Sequence, residues 1–176
     1  MVWPRGLVLP DGLVTISPYS LESIGAASGS LGSPSSWVWP TADKAIFTPF
    51  RISRQILVKN MFLFNGIAVN GNFDIGIYDR TGVRLVSSGS VVQAGVSSLQ
   101  AVDVADTLIG PGLFYMALVF DNVVATIYAS RPGFAQCRAM GLATMLNAFI
   151  LPATAVFATI ADHYVNLHGL TARVVV

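Results

Sequence analysis

The chain has 176 residues, enough for one domain with a real core, and length alone argues against two. Only 11% of residues are charged, against about 25% in a typical soluble domain, while 53% are hydrophobic. The formal net charge of +1 gives no electrostatic reason to bind nucleic acid or an anionic membrane, and the shortage of polar surface points to burial in an oligomer or larger assembly. The lone cysteine, Cys137, excludes an intramolecular disulfide and any zinc site built on paired cysteines. It reads as a small buried hydrophobe.

Residues 1–24 hold short apolar clusters broken by Pro4, Pro10 and Pro18, which favours extended segments over helix. No secretory signal is legible there, because the prolines interrupt the apolar core such a signal needs. Gly25–Ser36 (GAASGSLGSPSS) has the composition of a flexible linker. It runs into Trp37-Val38-Trp39-Pro40, whose two rings either anchor an arm to a neighbour or pack on the edge of the chain's own domain. The expected division is therefore an attachment arm over residues 1–40 and a folded domain over 41–176.

From Ala45 onward the pattern is that of strands. Ala45–Arg51 and Gln55–Phe64 are rich in β-branched and aromatic residues. In Asn72–Asp79, Phe73, Ile75 and Ile77 alternate with Asp74, Gly76 and Tyr78, the period of a strand with one solvated face. Asp79-Arg80-Thr81-Gly82 reads as a tight turn returning the chain through Val83–Ser87. Further strands are expected at Leu99–Val104, Leu113–Phe120, Ala125–Ala129, Ala155–Ile160 and Leu170–Val176, with a short helix or buried loop within 134–148. Ala139–Ala161 carries no charge, but Pro152 and several polar residues argue against a transmembrane helix. The whole reads as an all-β antiparallel sandwich with an extended N-terminal arm.

The chemistry-bearing motifs are absent. There is no phosphate loop, no G-x-G-x-x-G, no G-x-S-x-G and no H-E-x-x-H. The histidines, His163 and His168, stand five apart, which puts them on opposite faces of a strand. Glu22 is the single glutamate, leaving Asp74, Asp79, Asp103, Asp106, Asp121 and Asp162 as the acids of the domain. Asp103 and Asp106 could offer oxygen ligands to calcium, but a solvated strand end explains them. Arg51, Arg54, Lys59, Arg80 and Arg84 read as cross-strand partners of Asp74 and Asp79 on a solvent face. Phe62, Phe64, Phe114, Tyr115 and Phe120 fall on both faces of their strands, and a strand apolar on both faces must be covered on both. That points to an intersubunit interface. The expected contact residues are accordingly Trp37 and Trp39 for docking and Phe62, Phe64 and Tyr115 for self-association. No enzyme activity, metal or cofactor is expected.

The order FDIGIYDRTGVRLVSSG, PGLFYMALVFD, LPATAVF and YVNLHGLTARV resembles a group of bacteriophage virion proteins over Ala45 to Val176. These are tail-fibre, head-fibre and decoration-type proteins in which a GIYD hairpin precedes a strand opening on PG and aromatics. The resemblance implies a jelly-roll-like sandwich, frequent homotrimers, and an N-terminal arm contacting other virion proteins. It implies a place in the virion and a structural role that can extend to host adsorption through a surface glycan. Net charge and the lack of a spanning segment, not the resemblance, exclude nucleic acid and membrane from the expected partners. It carries no catalytic residues. The other reading of the same features is a stand-alone carbohydrate-binding module, using a row of exposed aromatics such as Tyr78, Tyr115 and Tyr128.

Overall fold

A computed structural model describes residues 13–16, 34–162 and 164–175. These residues are nearly all β, an antiparallel sandwich with one short helix among them, as the alternation of strand and turn signals indicates. Strands β1 (Leu13–Ile16), β2 (Ser35–Val38), β3 (Ala45–Ile52), β4 (Ile56–Phe64), β5 (Asn72–Asp79), β6 (Arg84–Ser87) and β7 (Val91–Val92) come first. They are followed by β8 (Leu99–Ile109), β9 (Gly112–Phe120), β10 (Thr126–Ser130), helix α1 (Phe134–Ala139), β11 (Ala143–Met145), β12 (Ala158–Thr159), β13 (Val165–Asn166) and β14 (His168–Val174).

One wall of the sandwich is the sheet β12-β11-β3-β9-β5-β6, with β7 also pairing β5. The other combines β1-β14-β4-β8 with β13-β10-β2, and a bridge between Asn65 and Ile127 joins the two. Ile46 and Phe50 of β3, Phe73, Ile75 and Ile77 of β5, and Met116, Leu118 and Phe120 of β9 fill the space between the walls. They meet Met61 and Leu63 of β4, Val102 of β8 and Leu170 of β14. Pro49 lies within β3, where a missing N–H would normally break a ladder. It is tolerated because β11 pairs β3 only as far as Phe47, and no other strand among the described residues pairs with β3 on that side.

The turn after β5 forms as its residues dictate. Asp79 Oδ1 accepts from Thr81 N, Thr81 Oγ1 and Val83 N, and Gly82 takes φ of +90°, which only glycine adopts without strain. Helix α1 is shorter than the stretch 134–148 allows. Its end is closed by Gly141 N–H and Leu142 N–H donating to the Arg138 and Cys137 carbonyls. The chain then enters β11, where Ala143 pairs with Phe47.

Four expectations need correcting. Asp74, Gly76 and Tyr78 do not face solvent, because every residue from Phe73 to Tyr78 is buried. The expected strand at 155–160 is a strand only at Ala158–Thr159, and residues 146–157 instead cross the outside of the β3-β9-β5 wall as a strap. Asp74 is no solvent-face ion-pair partner, since its carboxylate accepts from the strap at Leu151 N. The arm boundary at residue 40 falls too late, because Ser35–Val38 pairs with β10 and Leu13–Ile16 pairs with β14. Residues 1–12 and 17–33, with most of the Gly/Ser stretch, lie outside the described residues, as does His163.

His168 on β14 is fully buried, and burial pulls its imidazole down to about 3 from 6.5. The folded protein therefore binds fewer protons than the unfolded chain between those values, so the stability this residue confers is whole above pH 6.5 and is lost as pH falls toward 3. Chemical denaturation across that range should show an acid loss on the order of 4–5 kcal/mol from this group. The His168→Leu variant should lack that part of the slope, and an identical slope in both proteins would refute the assignment.

Candidate interaction surfaces

The expected contact residues separate into distinct environments. Trp39 is 1% exposed. Its ring packs on Phe120 at 5.0 Å between centroids, and its Nε1 donates to the Lys44 carbonyl at 3.1 Å. It belongs to the domain's own core, so it is not a docking anchor: between the two readings open in the sequence, burial selects the internal one. Trp37 is half-buried on β2. The Arg131 guanidinium lies over its ring at 4.4 Å and over the Tyr164 ring at 4.9 Å, tying the end of β10 to β2 and to the segment before β13.

Tyr115 is likewise occupied internally. Phe157 of the strap covers it at 4.5 Å between centroids, and the same Phe157 meets Phe47 edge-on at 5.1 Å. Beneath the strap, Ala45, Phe47, Tyr78, Ala117, Val119, Ala148, Leu151 and Ala155 make a second core. The outer face of the β3-β9-β5 wall is therefore covered by the chain itself. Fixed polar contacts hold the cover: Leu151 N donates to Asp74 Oδ2 at 3.0 Å, Tyr78 OH to the Pro152 carbonyl at 2.6 Å, and Arg84 Nη1 to the Leu151 carbonyl. Ala155 N also donates to the Gly82 carbonyl at 2.7 Å. Burial raises the Asp74 carboxyl above its ordinary value, against the opposing hydrogen bonds from Leu151 and Ser88.

Phe62 and Phe64 are half-buried on the outward face of the β1-β14-β4-β8 sheet. Phe64 meets Tyr128 edge-on at 5.1 Å. The Phe62 ring lies over Gly169, where a Cβ would fall 2.4 Å from its Cζ, so glycine is required beneath it. Leu99, opposite Phe64, is 54% exposed and Leu108, opposite Leu57, is 53% exposed. Lys59 pairs with Asp106, and Asn60 Nδ2 donates to Asp103 at 3.1 Å. The two aspartates considered for calcium thus have partners from β4. Among the described residues no group of three or more His, Cys, Asp or Glu converges on one point.

A surface not anticipated from sequence lies at one end of the sandwich. The register puts the ends of β2, β4 and β9 beside the starts of β5, β8 and β10. Their connections, residues 65–71, 92–98 and 121–125, are knitted together there. Asn65 N donates to the Ser98 carbonyl, Ser97 N to Gly66, Thr126 N to Ala68 and Gln93 N to Gly71. Inside, Gln93 Nε2 donates to Asn65 Oδ1 and to the Thr126 carbonyl, both at 2.9 Å, while Asn70 N donates to Gln93 Oε1 at 2.9 Å. Asn65 Nδ2 reaches the Ala94 carbonyl and Gln100 Oε1. Asp121 accepts from Asn72 N and Asn72 Nδ2, and Asn122 Oδ1 accepts from Val124 N and Ala125 N. Burial opposes the Asp121 charge, yet these donors hold its carboxyl below the ordinary value. Outward from the network point Ile67, Val92, Val96, Val123 and Val124, each more than half exposed. Only the turn character of these stretches was legible beforehand, because three distant loops had to be brought together first.

No protein-family model matches the chain, and neither a curated protein nor a solved structure does.

Two measurements follow from these environments. Tyr115→Ala should lower stability by about 2 kcal/mol, the scale of opening a space in a packed aromatic cluster, and leave the solution mass unchanged. A changed mass at undiminished stability would return Tyr115 to an interface. Gln93→Ala should cost about 1–3 kcal/mol by stranding buried partners. It should also speed amide hydrogen exchange at Asn65, Asn70 and Ala94 more than in the strands, whereas unchanged exchange would mean the loops are held by other contacts.

Proposed function

We propose that the chain is a structural component of a bacteriophage particle, an oligomeric appendage or decoration subunit of head or tail. The observation that carries this reading is the outward face of the β1-β14-β4-β8 sheet. Half-buried Phe62 and Phe64 stand there with exposed Leu99, Ala101 and Leu108, in a chain that is only 11% charged. A soluble sandwich ordinarily keeps such a face polar, and apolar patches of this kind mark contact sites. The charges around it are Lys59 and Arg173 against Asp103 and Asp106, so copies brought together there meet no net like-charge repulsion.

The resemblance of the GIYD hairpin and the PG strand to virion proteins supplies the particle and the homotrimer. In this reading, residues outside the strands of the N-terminal region attach to other virion proteins, and the sandwich takes part in host adsorption. The rival carbohydrate-binding reading needs an exposed aromatic row. Of its three tyrosines, Tyr78 is buried, Tyr115 lies under Phe157, and Tyr128 is half-buried against Phe64.

The test is light scattering of the full-length protein over a dilution series, with Leu99→Glu/Leu108→Glu as comparison. Both leucines are exposed, so the variant should keep its fold. A trimer that persists on dilution and falls to monomer in the variant is expected. A monomeric wild type, or an undisturbed trimer in the variant, would overturn the assignment of this face. Mass spectrometry of purified particles checks the virion placement separately.

A further inference from the structure

The first of the knitted loops holds both Asn-Gly steps of the chain, Asn65-Gly66 and Asn70-Gly71. Such a step is chemically labile. The backbone nitrogen of the second residue can attack the side-chain amide carbon of the first, and glycine has no Cβ to obstruct the approach.

The fold treats the two steps oppositely. Asn65 is 0% exposed, and both ends of its amide are bonded: Oδ1 accepts from Gln93 Nε2, while Nδ2 donates to the Ala94 carbonyl and to Gln100 Oε1. The nitrogen that would attack it is committed as well, since Gly66 N donates to the Thr126 carbonyl at 2.9 Å. Asn70 is exposed, and its side chain bonds to nothing among the described residues. The Gly71 N–H likewise has no acceptor among them. Only the backbone of Asn70 is held, its N–H by Gln93 Oε1 at 2.9 Å and its carbonyl by Asn122 Nδ2 at 3.0 Å. Glycine at 71 is imposed by the fold: its φ is +63°, and a Cβ there would fall 2.2 Å from Asn122 Nδ2 and 2.3 Å from Asp121 Oδ1. A larger residue that would shield the neighbouring amide has no room.

We propose that Asn70 is a site of spontaneous modification, deamidating through a cyclic imide while Asn65 stays intact. Solvent base takes the Gly71 amide proton, the nitrogen bonds to Asn70 Cγ, and the side-chain nitrogen leaves as ammonia. Water then opens the imide at either carbonyl, leaving aspartate or isoaspartate at position 70. Base and water are the only co-reactants. Either product adds a carboxylate to loops (65–71, 92–98 and 121–125) whose one charged side chain is Asp121. In isoaspartate the main chain runs through the former side chain. The carbonyl that Asn122 holds then becomes a side carboxylate, and Gly71 is displaced from Gln93, whose N–H its carbonyl accepts. The modification thus loosens the loop end as the protein ages. This goes beyond the proposed particle role and does not depend on it.

The test is ageing of the full-length protein in mildly alkaline heavy-oxygen water, folded and in denaturant, followed by peptide mapping with mass spectrometry. In denaturant both asparagines should convert at similar rates. In the folded protein Asn70 should convert about tenfold or more faster than Asn65, whose buried bonds must break first. The product should carry heavy oxygen and include isoaspartate. Asn70→Gln removes no side-chain bond, so it should keep the fold, and its longer side chain closes a ring far less readily. Amide hydrogen exchange at Gly71 and Gln93 should quicken in the aged wild type and not in the aged variant. A folded protein whose Asn70 survives an incubation that converts it in denaturant, or whose Asn65 keeps pace with it, would overturn the proposal. Equal loosening of both aged proteins would overturn the link between the modification and the loops.

Discussion

The structure depends on one constraint: the three central strands β3, β9 and β5 are apolar on both faces, and both faces must be taken out of water. Their inner residues, Phe50, Ile75 and Leu118, are covered by the opposite wall, as in any sandwich. Their outer residues, Phe47, Tyr78, Ala117 and Val119, have no second sheet to pack on. The chain covers them with the strap, whose inward side chains Phe149, Leu151, Ala155 and Phe157 are all apolar. A strap laid over a sheet face cannot join that face's ladder, so its backbone needs other partners. Asp74, Tyr78 and Arg84 supply them, which is why two ionisable groups and a phenol occupy the middle of an otherwise apolar surface.

This arrangement redistributes the surface available for contact. Because Tyr115 and Phe47 are used by Phe157, the large wall does not offer these rings to a partner, while Leu99 and Leu108 stand open on the opposite sheet. The loop end is separate from both. Its side-chain amides Asn65, Gln93 and Gln100 are neutral groups that each bond at least two others. Satisfied networks of that kind make loops rigid, and a half-satisfied one would cost more than an apolar core. Rigid loops can display aliphatic side chains that would otherwise collapse onto each other.

Much of the fold was legible in the sequence, for reasons tied to particular residues. Asn72–Asp79 forms the strand expected of it because β-branched residues alternate with a tight turn behind them, and local rules suffice. The same alternation misleads about Asp74 and Tyr78. Period two identifies a strand but does not say what covers its other face, and the strap arrives from 77 residues further on to bond Asp74. The stretch from Ala155 reads as strand because β-branched and aromatic content is shared by strands and by any segment lying on an apolar surface. Trp39 could not be separated from Trp37, since only the position of Phe120 decides which ring is internal. The loop end left only turn signals. Ile67, Val92 and Val123 are unremarkable singly, and only strand register makes them neighbours.

The proposed flank association ties the direction of the loop end to the symmetry of the assembly. The leucine-bearing sheet face is on the flank of the sandwich, while the loops close one end of its strands. Copies related by a cyclic axis parallel to the strands would associate through their flanks and point their loop ends the same way. A two-fold axis across the strands would point them apart.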